Sequence, residues 1–159
     1  MLDQMFHNPS IGEMTFGEVI STIVAEMEGH SQEQFELLIG TDSSTYPNHL
    51  ELVSAIVLHK VGRGGRYFWT RKREKTTPSL RLQIWREAWL SFELAQHVMR
   101  SLESESLLQF NLEIHVDIGK NGPTKELIDE VVGMILGSGL AVRIKPEAYA
   151  ASAVADKHT

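Results

Sequence analysis

The 159-residue chain contains no cysteine. That excludes disulfides, thiolate nucleophiles and cysteine-ligated zinc or iron–sulfur clusters, so a metal ion would have to be held by oxygen or imidazole. Long apolar runs are missing too. The longest are a handful of residues, against the roughly 20 needed to span a bilayer. The opening residues MLDQMFHNPSIGEMTF show no basic start followed by an apolar stretch and a cleavage site, so a cytoplasmic protein with no membrane partner is expected. Neither a P-loop nor a dinucleotide fingerprint occurs, since GRGG at 62–65 lies between two strand-like segments and opens no helix. No repeat or Pro/Gly/Ser-rich linker divides the chain. With 42% hydrophobic and 23% charged residues, it reads as one globular domain over 1–159.

Charge is unevenly placed. The net charge is −6, yet nine of the fifteen Lys and Arg residues lie between Lys60 and Arg86, where Glu74 is the single acid. Arg66, Arg71, Lys72, Arg73 and Lys75 in that stretch would meet phosphates, and Tyr67 and Trp69 would stack on bases. The competing reading is a strand whose aromatics fill the core and whose cations balance the acidic remainder.

Thr15 and Glu18 stand at capping-box spacing ahead of Phe16, Val19, Ile20, Ile23, Val24 and Met27, which predicts an N-terminal helix ending near Gly29. Strands follow at Phe35–Thr41, His49–Lys60 and Arg66–Arg73, joined by the turns DSSTYPN and GRGG as an antiparallel meander. Thr77 as N-cap with Pro78 at the first helical position predicts a long helix from Ser79 to about Leu102. A strand at Phe110–Ile118, a helix at Thr124–Leu136, a strand at Leu140–Lys145 and an Ala-rich helix after Pro146 complete the order. Strands reached through helices are most simply parallel to the first.

Four acids stand out. Asp42 and Asp117 each follow an apolar strand into a turn, where open α/β sheets place their chemistry, although Asp is also an ordinary turn residue. On neighbouring strands the two carboxylates would converge and call for a cation or a proton. Glu87 falls inside the apolar arc of the long helix at 100° per residue. A carboxylate there needs a partner, and a buried salt bridge to Arg81 or Arg143 is the alternative to a functional role. Asp156 shares a helix face with Ser152 and Tyr149, and could equally be a solvated C-terminal residue. His115 and His158 lie two residues from Asp117 and Asp156 and read as structural or surface imidazoles more readily than as catalytic ones.

Taken in order, GTDSS at 40–44, SLRLQIWREAWLSFE at 79–93, HVDIGKNGPT at 115–124 and IKPEAYAASAVADKHT at 144–159 resemble the YkuK-like family of the ribonuclease H-like superfamily. The resemblance covers nearly the whole chain. It implies an α/β fold, a mixed five-stranded sheet of three antiparallel and then two parallel strands flanked by helices, here with an N-terminal helical extension. It also implies an acid on the first strand, the following helix, the fourth strand and the last helix, which map to Asp42, Glu87, Asp117 and Asp156. Gln83, one turn before Glu87, competes for the helix position. The implied activity is hydrolysis of RNA or DNA phosphodiesters assisted by Mg²⁺ or Mn²⁺, with the four acids as metal ligands and catalytic residues. Two other readings stay open: a nucleic-acid or nucleotide binding module that does not cut, and an interaction protein pairing as a homodimer through an exposed strand or through the helix that carries Trp85 and Trp89.

Overall fold

In a computed structural model the described residues are 3–75, 79–104, 109–118, 125–144, 148, 154–155 and 157–158. The strands are β1 (Phe6–Asn8), β2 (Gly12–Met14), β3 (Phe35–Thr45), β4 (Leu50–Lys60), β5 (Gly65–Glu74), β6 (Phe110–His115) and β7 (Ala141–Arg143). The helices are α1 (Phe16–Gly29), α2 (Leu80–Leu102) and α3 (Ile128–Gly137), the last entered through one 3-10 turn, Lys125–Leu127. A single sheet runs in the order β2-β1-β5-β4-β3-β6-β7. Antiparallel β3, β4 and β5 form its centre, β6 pairs parallel to β3, and β7 parallel to β6, as the sequence predicts. Among the described residues, no helix is long and apolar enough to cross a membrane.

Four departures from the sequence reading matter. The N-terminal extension is not helix alone: it opens with the β1–β2 hairpin, which adds two strands to the expected five and pairs His7 with Trp69 of β5. β3 continues through Asp42–Thr45, because those polar residues pair in register with Val53, Leu52, Glu51 and Leu50 of β4. The turn that remains is 46–49, closed by the Tyr46 N–H donating to the His49 carbonyl at 2.9 Å. β6 conversely stops at His115, and the Val116 N–H donates to the Arg143 carbonyl at 2.9 Å. Ser79, not Thr77, caps α2, its hydroxyl accepting from the Leu82 N–H at 3.3 Å. Thr77 and Pro78, the 119–124 turn and most of the final helix lie outside the described residues, though Val154, Ala155, Lys157 and His158 are helical.

Side-chain alternation gives the sheet two different faces. Phe35, Leu37 and Ile39 of β3, Ile56 and Leu58 of β4, Phe68 of β5 and Leu112 and Ile114 of β6 share the main core with α1, α2 and α3. On the opposite face Val53 and Ala55 pack against Ala155, Val154 and Trp69, so the C-terminal residues cover the centre of that side. Beyond Ile39 the core face turns polar: buried Thr41 contacts Ser54 at 2.8 Å and accepts from Ser91 of α2 at 2.8 Å. Thr41→Val keeps the shape but strands two buried hydroxyls, so it should cost about 1–3 kcal/mol in urea denaturation. An unchanged unfolding midpoint would show that this contact adds nothing.

Candidate active site

The parallel pairing of β3 with β6 ends at Gly40 and His115. Beyond that pair, among the described residues, β3 runs on beside β4 alone. The chain after β6 follows β7 for one more residue and then turns at Asp117, where the Ile118 N–H donates to the Val116 carbonyl at 2.9 Å. Among the described residues the two strands therefore part at their carboxyl ends, which leaves a crevice at the position where open α/β sheets bind ligands. The register that sets Gly40 beside His115 leads, two residues on, to Asp42 and Asp117. Both are half-buried, at the mouth of this crevice.

Glu87 reaches the same place from the other face. It sits on the buried side of α2, 9% exposed, as the helical arc predicts. Neither suggested ion-pair partner engages it: Arg81 pairs with Glu130 at 2.9 Å and Arg143 with Glu113 at 3.3 Å. Its Oε1 instead accepts a 2.5 Å hydrogen bond from the Ser43 hydroxyl. Burial pushes the Glu87 carboxyl up to about 8, and the negative charges of Asp42 and Asp117 add to the rise, while hydrogen bonds from Ser43 oppose it. Three of the four expected acids are thus electrostatically coupled at one end of the sheet. Asp156 lies outside the described residues.

Gln83, the competitor for the helix position, sits one turn before Glu87 and donates to Ser43 Oγ at 2.7 Å. Ser43 and Gln83 are the residues that sequence reasoning did not weigh as a pair. Their signal was present: 83 and 87 share a helix face, and 43 shares a strand face with the core positions 37 and 39.

His115 is buried on β6 and Nε2 lies 3.2 Å from Glu113 Oε2, with burial depressing its basicity. These contacts are those of a structural imidazole. His158 stacks on Trp69 with ring centroids 4.4 Å apart and contacts the Tyr67 hydroxyl at 3.2 Å. Trp69 also stacks on His7, at 4.5 Å. The two aromatics considered for base stacking are therefore engaged within the molecule.

The basic strand divides by face. Arg71 and Arg73 alternate with Trp69 and Tyr67 on the Asp42 side; Arg66 and Lys72 alternate with Phe68 and Thr70 on the α2 side. Lys75 follows the strand and is exposed. Arg73 is bound to Glu51 at 2.6 Å, which holds the Glu51 carboxyl below its ordinary value, and Lys72 lies 3.8 Å from Glu74. Arg71 has mostly neutral partners, the Trp69 ring at 5.4 Å and the His158 carbonyl, with Glu51 no closer than 4.0 Å. Its register partner is Val53, whose partner on the next strand is Asp42. Arg71 and Asp42 thus lie in one row on one face, two strand spacings or about 10 Å apart. Of the tryptophans on α2, Trp85 packs against the main core and Trp89 is 44% exposed.

The chain matches the ribonuclease H-like family over residues 18–159. It belongs to that family. The uncharacterized protein YkuK of Bacillus subtilis (strain 168) is 32% identical over 169 residues, covering 98% of this chain and 96% of that protein. No solved structure matches at a significant level. This ribonuclease H-like chain keeps the family's sheet and places Asp42, Glu87 and Asp117 at its carboxyl end. Among the described residues no three acids or histidines already form a closed ligand set. The donors nonetheless fit a hard divalent cation in kind: they are carboxylate oxygens whose mutual repulsion a cation would relieve.

The raised Glu87 carboxyl has a consequence for stability. Its folded value of about 8 exceeds the ordinary 4.5, so this group favours the fold most below pH 4.5. Without divalent ions, its contribution should be lost as pH rises from about 4.5 to about 8. Glu87→Gln should flatten that part of the stability–pH curve in metal-free urea denaturation. A wild-type slope identical to that of the variant would contradict the assignment.

Proposed function

We propose that this ribonuclease H-like chain is a divalent-metal-dependent nuclease. The observation that carries the reading is the convergence of Asp42, Asp117 and Glu87 at the carboxyl end of the sheet, with Glu87 held from the opposite face. Asp42 and Asp117 would be the shared ligands of Mg²⁺ or Mn²⁺, Glu87 would complete one side, and Asp156 would contribute from the last helix. Bound divalent ions supply water activation and stabilisation of the leaving oxygen in phosphodiester hydrolysis. The chain's own contribution is to hold these carboxyl groups together in a half-buried crevice, where Glu87 stays mostly protonated until a cation arrives.

Arg71 is assigned to the phosphate backbone of RNA or DNA. It faces the same side as Asp42, and its ion pair to Glu51, at 4.0 Å, is looser than that of Arg73, at 2.6 Å, so a phosphate would reach it more readily. Arg73 would have to exchange Glu51 for phosphate. Lys75 extends the basic edge, whereas Arg66 and Lys72 face the α2 side and are not part of this surface.

Two measurements test the reading. Calorimetry should show Mn²⁺ binding to the wild type, lost in Asp42→Asn and Asp117→Asn. Wild-type Mn²⁺ binding that survives both substitutions would refute the site. Nucleic-acid binding without any Mn²⁺ binding would support a non-cutting module instead. Arg71→Gln should reduce the slope of log K against log salt by about one for single-stranded oligonucleotides, while Lys72→Gln leaves it unchanged. Equal effects from both would refute the one-faced surface.

A further inference from the structure

Helix α2 crosses the end of β3 so that two periodicities match. Gln83, Glu87 and Ser91 follow one another at four-residue steps along the helix, about 6 Å each, while Thr45, Ser43 and Thr41 follow at two-residue steps along the strand, about 6.7 Å each. Each helix residue of the row bonds its strand counterpart: Gln83 meets Thr45 and Ser43, Glu87 meets Ser43, and Ser91 meets Thr41. The outer part of this ladder has a direction. The Thr45 hydroxyl donates to Gln83 Oε1 at 3.3 Å, the Gln83 amide donates to Ser43 Oγ at 2.7 Å, and the Ser43 hydroxyl donates to Glu87 Oε1 at 2.5 Å.

A serine hydroxyl has one proton. With the Gln83 amide donating to the Ser43 oxygen, that proton is committed to Glu87 rather than shared with a second acceptor. The chain runs from exposed Thr45 to the buried carboxyl, and all three bonds point toward Glu87.

We infer that Gln83 is a positioning residue for Glu87: acting through Ser43, it fixes which carboxylate oxygen is satisfied internally and holds the side chain in place to receive a divalent cation. This rests on the metal-site reading above and deepens it. Gln83 and Glu87 are therefore not rivals for one ligand position. The glutamine serves the glutamate, as residues behind metal ligands orient them elsewhere. Thr45 in turn engages the amide oxygen and so keeps the amide nitrogen on Ser43.

The test uses three variants of the full chain and two readouts. Gln83→Met removes the amide at similar size, Thr45→Ser keeps the distal hydroxyl, and Ser43→Ala removes the relay. The metal-free readout is the Gln83 side-chain amide resonance, which should be displaced and slow to exchange in the wild type and Thr45→Ser and become solvent-like in Ser43→Ala. The metal readout is Mn²⁺ affinity, which should fall about 10–100-fold in Gln83→Met at an unchanged melting temperature and be preserved in Thr45→Ser. Wild-type affinity in Gln83→Met would overturn the inference while leaving the metal site standing. If the wild type binds no Mn²⁺, the metal-site reading and the positioning role fall together. An amide resonance still displaced in the wild type would then mark the bonds as a fold device only.

Discussion

The buried carboxyl of Glu87 against Ser43 is the contact around which this end of the molecule is organised. A carboxyl moved from water into a protein interior is costly unless hydrogen bonds or a counter-charge offset the loss of hydration. Here the nearest groups provide hydrogen bonds from one strand residue and two further negative charges, which leaves the carboxyl near neutral pH with a value of about 8. At neutral pH the carboxyl is therefore mostly protonated, and a cation bound beside it would favour the ionised form. A carboxyl so shifted, set where the strands part, is a reason to propose a functional site there.

The rest of the architecture follows from keeping that crevice open. β3 is extended by its pairing with β4, so Asp42 and Ser43 are held on a rigid strand and not in a loop. β6 ends early and leaves toward β7, which frees the flank of β3 and carries Asp117 to the opening. Alternation then divides the labour: Ser43 looks toward α2 and receives Glu87, while Asp42 looks toward the side covered by Val154 and Ala155 and faced by Arg71. The proposed site thus draws on β3, α2, β5 and the turn after β6, and a single-residue slip of β3 against β4 would exchange the two sides.

Much of this was legible in the chain. The core helices announce themselves by period and caps, the meander by three apolar runs with turns between, and Glu87 by its place among apolar neighbours on the helical wheel. The largest misreading has a clear cause: long-range pairing overrode local preference. Asp42, Ser43, Ser44 and Thr45 are turn-forming residues that become strand because Leu50–Val53 of β4 pairs beside them. Strands as short as Phe6–Asn8 and Gly12–Met14 carry no usable alternation, so the hairpin was invisible. Nor can a sequence say that Trp69 will be stacked by His7 and His158, more than 60 residues away on one side and nearly 90 on the other. The division of the basic strand into two faces was available from alternation, but which face mattered was known only once Asp42 had been placed.

The central claim is that Asp42, Asp117 and Glu87 form one divalent-cation site. Anomalous diffraction from a crystal grown with Mn²⁺ tests it most directly. The account predicts an anomalous peak at coordination distance from carboxylate oxygens of Asp42 and Asp117, on the side toward Glu87. A peak elsewhere with these three carboxylates unliganded, or none despite saturating Mn²⁺, would contradict it.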